Sequence, residues 1–268
     1  MLKKRLIPIV LLKNGWVVQS KLFKEYQNLG NPLQTVKRLS EWCSDELIYL
    51  DISKDNTYDI KRNDQNYPNR KNLIEIISDV SKVSFMPLTV GGKIKNLNDI
   101  ELRLKEGADK VSINTNAFRD KKFIENAAKE FGSQCIVISI DVKKIQNNYK
   151  VFVNGGEENT GYDPISWGKE VEDLGAGEIL LNFIDRDGQG EGYDIEFTNK
   201  FKRDLKIPLI LCGGAGNEND FYKAVKETDV DAIAAANFFH YKDQSVYYTK
   251  KFLCEKNLNF RKPDLVDL

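Results

Sequence analysis

Histidine is nearly missing from this 268-residue chain, with His240 the one copy. A hydrolytic triad or a histidine-rich metal site has nothing to be built from, and a lone histidine after a strand reads as a packed or capping residue. Cysteine is scarce too. Cys43, Cys135, Cys212 and Cys254 show no metal or redox spacing and read as buried free thiols, so neither a metal nor a cofactor is expected. An excess of one charge is absent, since 40 Lys and Arg balance 40 Asp and Glu. That balance offers no footprint for nucleic acid and no polybasic anchor for a membrane. The longest apolar runs are strand-length, far short of the roughly 20 residues a membrane span requires. The N-terminus leads from Lys3-Lys4-Arg5 into a short apolar stretch without a small-residue cleavage site. No signal peptide is read there, and a cytoplasmic protein is expected.

What is present is a regular alternation of short apolar runs and helical patterns. Strands are expected at Leu6–Leu12, Glu46–Asp51, Met86–Val90, Lys110–Ile113, Cys135–Asp141, Glu178–Phe183, Pro208–Cys212 and Asp231–Ala236. Helix starts are legible at Asn31-Pro32 and Asp163-Pro164, where a capping side chain precedes proline at the first helical position. Asp194 and Asn217 are further cap candidates. Strands separated by helices imply right-handed crossovers and a parallel sheet, which closes most simply as a (β/α)8 barrel over residues 1–268.

The chain also repeats itself at half length. Glu46-Leu-Ile-Tyr-Leu-Asp-Ile matches Glu178-Ile-Leu-Leu-Asn-Phe-Ile, and Pro87-Leu-Thr-Val-Gly-Gly matches Pro208-Leu-Ile-Leu-Cys-Gly-Gly. Asp109-Lys-Val-Ser-Ile-Asn matches Asp231-Ala-Ile-Ala-Ala-Ala-Asn. Two half-barrels, about 1–132 and 133–268, are therefore expected around a pseudo-twofold axis, and closure covers the edges that neither half covers alone. Two segments break the symmetry. One is a polar insertion at about 53–71, too poor in apolar groups to fold by itself. The other is a hairpin over Lys143–Gly156 with Asn147-Asn148 as its turn. Both follow C-terminal strand ends, the face where barrel enzymes place their active sites. Trp16, Trp42 and Trp167 read as core or loop anchors.

The repeat doubles a chemically meaningful feature. Gly91-Gly92 and Gly213-Gly214 each follow a buried strand and open a loop, where glycine lets backbone N–H groups approach an anion. A lone Gly-Gly is ordinarily a tight turn. Here two copies stand at corresponding positions, next to strands ending in Asn114-Thr115 and Asn237, which favours a pair of phosphate sites on opposite rims.

Longer motifs then resemble one family. They are ADKVSINT (Ala108–Thr115), FGSQ (Phe131–Gln134), SIDVK (Ser139–Lys143), NTG (Asn159–Gly161), GAGEILL (Gly175–Leu181), IDRDG (Ile184–Gly188), GYD (Gly192–Asp194) and CGGAG (Cys212–Gly216). In this order they are similar to the cyclase subunit of imidazole glycerol phosphate synthase, over nearly the whole chain. The resemblance implies a glutaminase partner forming a heterodimer at the N-terminal face, and ammonia crossing the barrel to a phosphorylated sugar ligand. It implies a catalytic carboxylate at Asp141 and an ammonia gate of Arg5, Glu46, Lys110 and Glu178. Phosphate contacts are implied at Asn114, Thr115, Asp187, Gly188, Gly214 and Ala236, and a partner contact at Asp109; the paired glycine turns themselves add Gly92, Lys93, Gly213 and Asn237 as candidate ligand residues. Asp187 fits loop or hydroxyl orientation better than direct phosphate contact, because like charges repel. The gate residues begin strands one, two, four and six, and desolvating four charges is costly enough to ask for a functional reason.

The chain departs from the family at the opposite face. Leu11 stands where the family's first strand ends in a catalytic Asp, and Gln19, Lys93 and Asn237 replace a Lys, a Gly and a small hydroxylic residue. The insertion after strand two is longer than the family's. Three readings follow. The first is an ammonia-channelling barrel subunit of a glutamine amidotransferase, serving amidino-group formation on a surface-polysaccharide or flagellar sugar with an ATP-dependent amidotransferase as a further partner. The second is the cyclase of histidine biosynthesis, and the third a non-catalytic activator of the glutaminase.

Overall fold

The computed structural model describes residues 2–61, 63–64 and 67–264, with 63, 64 and 67 described by their backbone alone. Residues 62, 65 and 66 of the expected insertion, and both chain ends of the expected domain, lie outside the described residues. The barrel strands are Arg5–Lys13, Leu47–Asp51, Leu88–Gly91, Lys110–Ile113, Ile136–Ile145, Glu178–Phe183, Leu209–Cys212 and Ala232–Ala235. They are called strands one to eight below. All run parallel, and the sheet closes through Arg5↔Ala232 between strands one and eight and Val111↔Ile136 between strands four and five.

Alternation along these strands builds two cores, because successive side chains point to opposite faces. Ile7, Ile9, Leu11, Ile48, Val137, Leu180, Ile210, Ala232 and Ala234 form one cluster inside the barrel. Leu6, Val10, Leu47, Tyr49, Leu88, Val90, Val111, Ile138 and Ile179 face outward and pack with the helices. The helices start where the capping residues stand. The side chains of Asn31, Asp163, Asp194 and Asn217 each accept from a backbone N–H in the first turn, and Pro32 and Pro164 follow the first two. Asn96 and Asn217 form capping boxes at corresponding points of the two halves. Trp16, Trp42 and Trp167 are buried anchors. All four cysteines are free, Cys43 and Cys212 buried and Cys135 and Cys254 partly so. Among the described residues no helix is long and apolar enough to cross a membrane.

Two segments at the mouth differ from what the sequence predicts. The hairpin after strand five turns at Gln146-Asn147, because Asn148 pairs with Ile145, so the turn lies one residue before Asn147-Asn148. Gln146 takes the positive φ of 55° that such a turn needs. The insertion, too polar to fold by itself, is nevertheless anchored in part. Tyr58 is buried, its N–H donates to the Lys71 carbonyl at 2.8 Å, and its hydroxyl donates to Asp51 at 2.7 Å. One buried aromatic ring on one buried acceptor helps fasten a segment whose other described side chains are mostly in solvent.

Candidate active site

The floor of the barrel carries a closed ring of charge. Arg5 bonds Glu46 at 2.8 Å and also bonds Glu178, while Lys110 lies 3.2 Å from Glu46 and 3.0 Å from Glu178. Every cation touches both anions, so all four residues singled out in the sequence meet. Burial alone would lower the Arg5 pKa; contact with Glu178 and then Glu46 overrides it and raises it above the usual arginine value. Asp109 sits beside the ring, with its side chain exposed. One of its oxygens accepts from the Leu88 N–H at 2.8 Å, so it also ties strand three to strand four.

Above the ring, the wall is unevenly polar. Lys110, Ser112 and Asn114 alternate along strand four and so share its inner face. Thr89 lies inward because its neighbours Leu88 and Val90 pack outward. Ser139 and Asp141 continue the inner row of strand five begun by Val137. The facing strands one, two, seven and eight present Ile7, Ile9, Ile48, Ile210, Ala232 and Ala234. The Ser112 hydroxyl and the Asn114 side-chain oxygen are buried without a hydrogen-bond partner, leaving two polar atoms open to a small hydrogen-bonding guest on this wall.

Asp141 ends that wall. Its carboxylate accepts from Asn114 at 2.9 Å, from Asn182 at 3.2 Å and from the Ser139 hydroxyl at 3.3 Å. Burial pushes its pKa from 3.8 up to about 6, with Asn182 and Ser139 pulling down and Asp187 adding a smaller upward push. A carboxyl titrating near neutrality suits proton transfer. Asn182 and Ser139 were not singled out by the sequence reading; two-residue alternation from Glu178 and from Asp141 marks both as inward-facing.

The pseudo-twofold mate of Asp141 is Leu11. Asp141 pairs with Asn182 of strand six, and Leu11 pairs with Leu50 of strand two. Likewise Asp141 faces Phe152 of its hairpin, as Leu11 faces Val18. Leu11 is buried among Ile9, Val18, Leu50 and Ile52.

The second-half residues expected to meet an anion lie on one rim, together with an element missed in the sequence. Strand one runs into a hairpin formed by Trp16–Lys21 and Glu25–Gly30. Asn14-Gly15, with φ of 52° and 81°, turns strand one back into Trp16–Lys21, and Leu22 and Phe23, with φ of 56° and 58°, turn that strand into Glu25–Gly30. Asn-Gly between apolar runs was the available signal. The Asp187 carboxylate accepts from the Ser20 hydroxyl at 2.6 Å and the Phe23 N–H at 3.3 Å. Burial raises the Asp187 pKa, against Ser20 and Phe23. Asn237 accepts from the Ser20 N–H at 3.2 Å and donates to the Ser20 carbonyl, so both ends of its amide hold the hairpin. Gly188 lies beneath, where an added Cβ would come within 2.7 Å of the Ser20 carbonyl oxygen. Gly213 and Gly214 have φ of 99° and 114°, and a Cβ at Gly213 would meet the Phe183 carbonyl oxygen at 2.8 Å. Ala236 follows strand eight at the edge of the inner cluster.

The first-half residues form a separate group. Gly92 (φ 101°) lies against the Asp51 carbonyl as Gly213 lies against that of Phe183. Lys93 has φ 56° and its ammonium lies 3.2 Å from Asp51. The Thr115 hydroxyl accepts from the Asn154 N–H at 2.9 Å, which ties this rim to the hairpin after strand five. The lone histidine is partly buried, and its pKa is lowered to about 4 by burial and by Arg38.

Comparison with known proteins agrees with this architecture. The family model described as "Histidine biosynthesis protein" matches residues 5–245. Imidazole glycerol phosphate synthase subunit HisF of Sulfurisphaera tokodaii is 42% identical over 261 residues, covering 97% of this chain and 100% of that protein. The proteins of the same name from Clostridium botulinum (strain 657 / Type Ba4) and Hydrogenobaculum sp. are each 40% identical, with the same shares covered. Barrel closure, the repeated glycine turns and full-length similarity together place the chain in the histidine biosynthesis protein family, among relatives named as HisF subunits.

Proposed function

We propose that this chain is the ammonia-accepting barrel subunit of a glutamine amidotransferase, with a glutaminase docked as a heterodimer at the floor. The observation that carries the reading is the alignment of three features on one interior. They are the ring of Arg5, Glu46, Lys110 and Glu178, the polar wall of Ser112 and Asn114, and the buried carboxyl of Asp141. Ammonia crosses as neutral NH3, because an apolar interior strongly disfavours a cation. Opening one pair of the ring admits it without breaking the barrel. At the mouth Asp141 orients the ligand and moves a proton, and the second-half rim at Gly213 and Gly214 receives an anionic group through backbone N–H.

The cyclisation of the histidine pathway is not part of this reading, because Leu11 offers no acid or base opposite Asp141. The acceptor chemistry we propose instead is amidino-group formation on a surface-polysaccharide or flagellar sugar, with an ATP-dependent amidotransferase as a further component. A second reading, the cyclase subunit of imidazole glycerol phosphate synthase, is favoured by the names of relatives about 40% identical over the full length. Expression in a histidine auxotroph lacking its cyclase separates the two. The first reading expects no rescue with the glutaminase present, and robust rescue establishes the second.

A further inference from the structure

The two rims are built on the same backbone and carry different chemistry. Gly92 and Gly213 are mates, each packed against the carbonyl that ends the neighbouring strand, at Asp51 and Phe183. The next residues are Lys93 and Gly214. In the second half a Cβ at Gly214 would run into the Gly192 carbonyl. In the first half Lys93 adds an ammonium, but that charge is already matched. Its Nζ lies 3.2 Å from the Asp51 carboxylate, whose side chain has no exposed surface, and it donates to the Asp55 carbonyl. The mate of Asp51 in the second half is the apolar Phe183.

The remaining hydrogen bonds of the Asp51 carboxylate belong to the insertion, while the Arg103 guanidinium, which it attracts, donates to the Gly92 carbonyl at 2.7 Å and the Asp99 carbonyl at 2.6 Å. The Asp51 carboxylate accepts from Tyr58 at 2.7 Å and from both the N–H and the hydroxyl of Ser53. The Tyr58 pKa is raised by burial and then by Asp51, so the phenol remains a donor. Asn69 donates to the Asn14 carbonyl at 2.9 Å and the Asp59 carbonyl at 3.0 Å, pinning the insertion across the turn of the first hairpin. A dianion brought to Lys93 meets a buried carboxylate about 3 Å from the cation, and like charge at that range opposes binding strongly in a low-dielectric setting.

We infer that only the second half binds a phosphate and that the Asp51–Lys93–Tyr58 cluster makes this chain selective for sugars with a single anionic group. This rests on the proposed function for its anion rim at Gly213 and Gly214. The test is a titration of the full chain with inorganic phosphate, followed by phosphorus NMR and by crystals soaked in phosphate. One equivalent per chain is expected, seated at Gly213–Gly214. Ribose 5-phosphate and ribulose 1,5-bisphosphate should bind within about threefold of each other, since a second productive phosphate contact is worth tenfold or more. In Asp51→Asn, with the fold checked by circular dichroism, the freed ammonium should bring a second equivalent and a tenfold preference for the bisphosphate. Two equivalents in the wild type, or a tenfold bisphosphate preference there, overturn this inference and leave the proposed function standing. No phosphate bound at either rim overturns both. A folded Asp51→Asn that still binds one equivalent removes the cluster from its role.

Discussion

The halves of this barrel agree in scaffold and differ in chemistry. Asp109 and Asp231 precede corresponding strands, and each carboxylate accepts from the first N–H of the strand before it, Leu88 and Leu209. The capping boxes at Asn96 and Asn217 and the glycines at 92 and 213 also correspond. At the mouth the correspondence fails. Ile9, Leu11 and Leu50 face the interior where Ser139, Asp141 and Asn182 do so in the other half. Positions fixed by backbone geometry are alike in the two halves, whereas those lining the mouth differ, and the buried carboxyl of Asp141 with its side-chain donors has an apolar counterpart in Leu11.

The sharpest test of that asymmetry is Asp141→Asn. Losing a positioned acid–base group should lower turnover by about 10²–10⁴-fold, while Leu11→Ala in the first half leaves turnover within a small factor. Stability should move the other way. Between its unfolded value of 3.8 and its folded value of about 6, Asp141 binds more proton in the folded state. Its contribution is therefore greatest at low pH, is lost as pH rises through about 6, and amounts to about 3 kcal/mol of destabilisation beyond. The Tm gain of Asp141→Asn should be largest above that pH and vanish near pH 4. Thermal melts across this range check the sign, and an equal gain at every pH would place the effect in packing.

Lys110→Met should break the floor without touching the mouth. Both glutamates would keep Arg5, but the second cation of the ring would be gone. Glutamine-driven turnover should fall by roughly tenfold, the size of one lost interaction of about 1.4 kcal/mol, while turnover with added ammonia is retained. Equal loss with both nitrogen sources would make the ring purely structural.

Much of this was legible in the chain because it depends on local rules. Strand four and strand six begin and end where the apolar runs do, and the four capping residues cap as read. The ring followed from a resemblance and closed in space. What the sequence hid depends on contacts distant along the chain. Asn237 was read as a ligand group, yet its amide is engaged with Ser20, 217 residues away. Asp187 is engaged with the same hairpin, across 167 residues. The polarity of the insertion was correctly seen, but nothing local announced that Tyr58 would find Asp51.

Leu11→Asp asks whether the first half can be made to resemble the second. A carboxylate there would lie among Ile9, Val18 and Leu50, without the donors that Ser139 and Asn182 give Asp141. Burying an unpaired charge should cost about 3 kcal/mol of stability, and histidine-pathway conversion should remain at trace level. Substantial conversion by this single variant would show that the asymmetry is shallow.

The smallest expected effect compares the two strand-tying aspartates. Asp109→Ala leaves the Leu88 N–H without its side-chain acceptor, and Asp231→Ala does the same to Leu209. Each should cost about 1 kcal/mol, the usual net worth of such a bond. Asp231 also pairs with Lys202 at 3.0 Å, so its loss should be slightly the larger of the two. A partner at the floor predicts a second difference of the opposite sense. Asp109 adjoins Lys110 of the ring, whereas Asp231 adjoins Ala232, which carries no charge. Glutaminase stimulation should therefore weaken in Asp109→Ala and persist in Asp231→Ala, although the second variant is the less stable. Matched loss of stimulation in both would trace the effect to stability, and unchanged stimulation in Asp109→Ala would remove this residue from the partner surface.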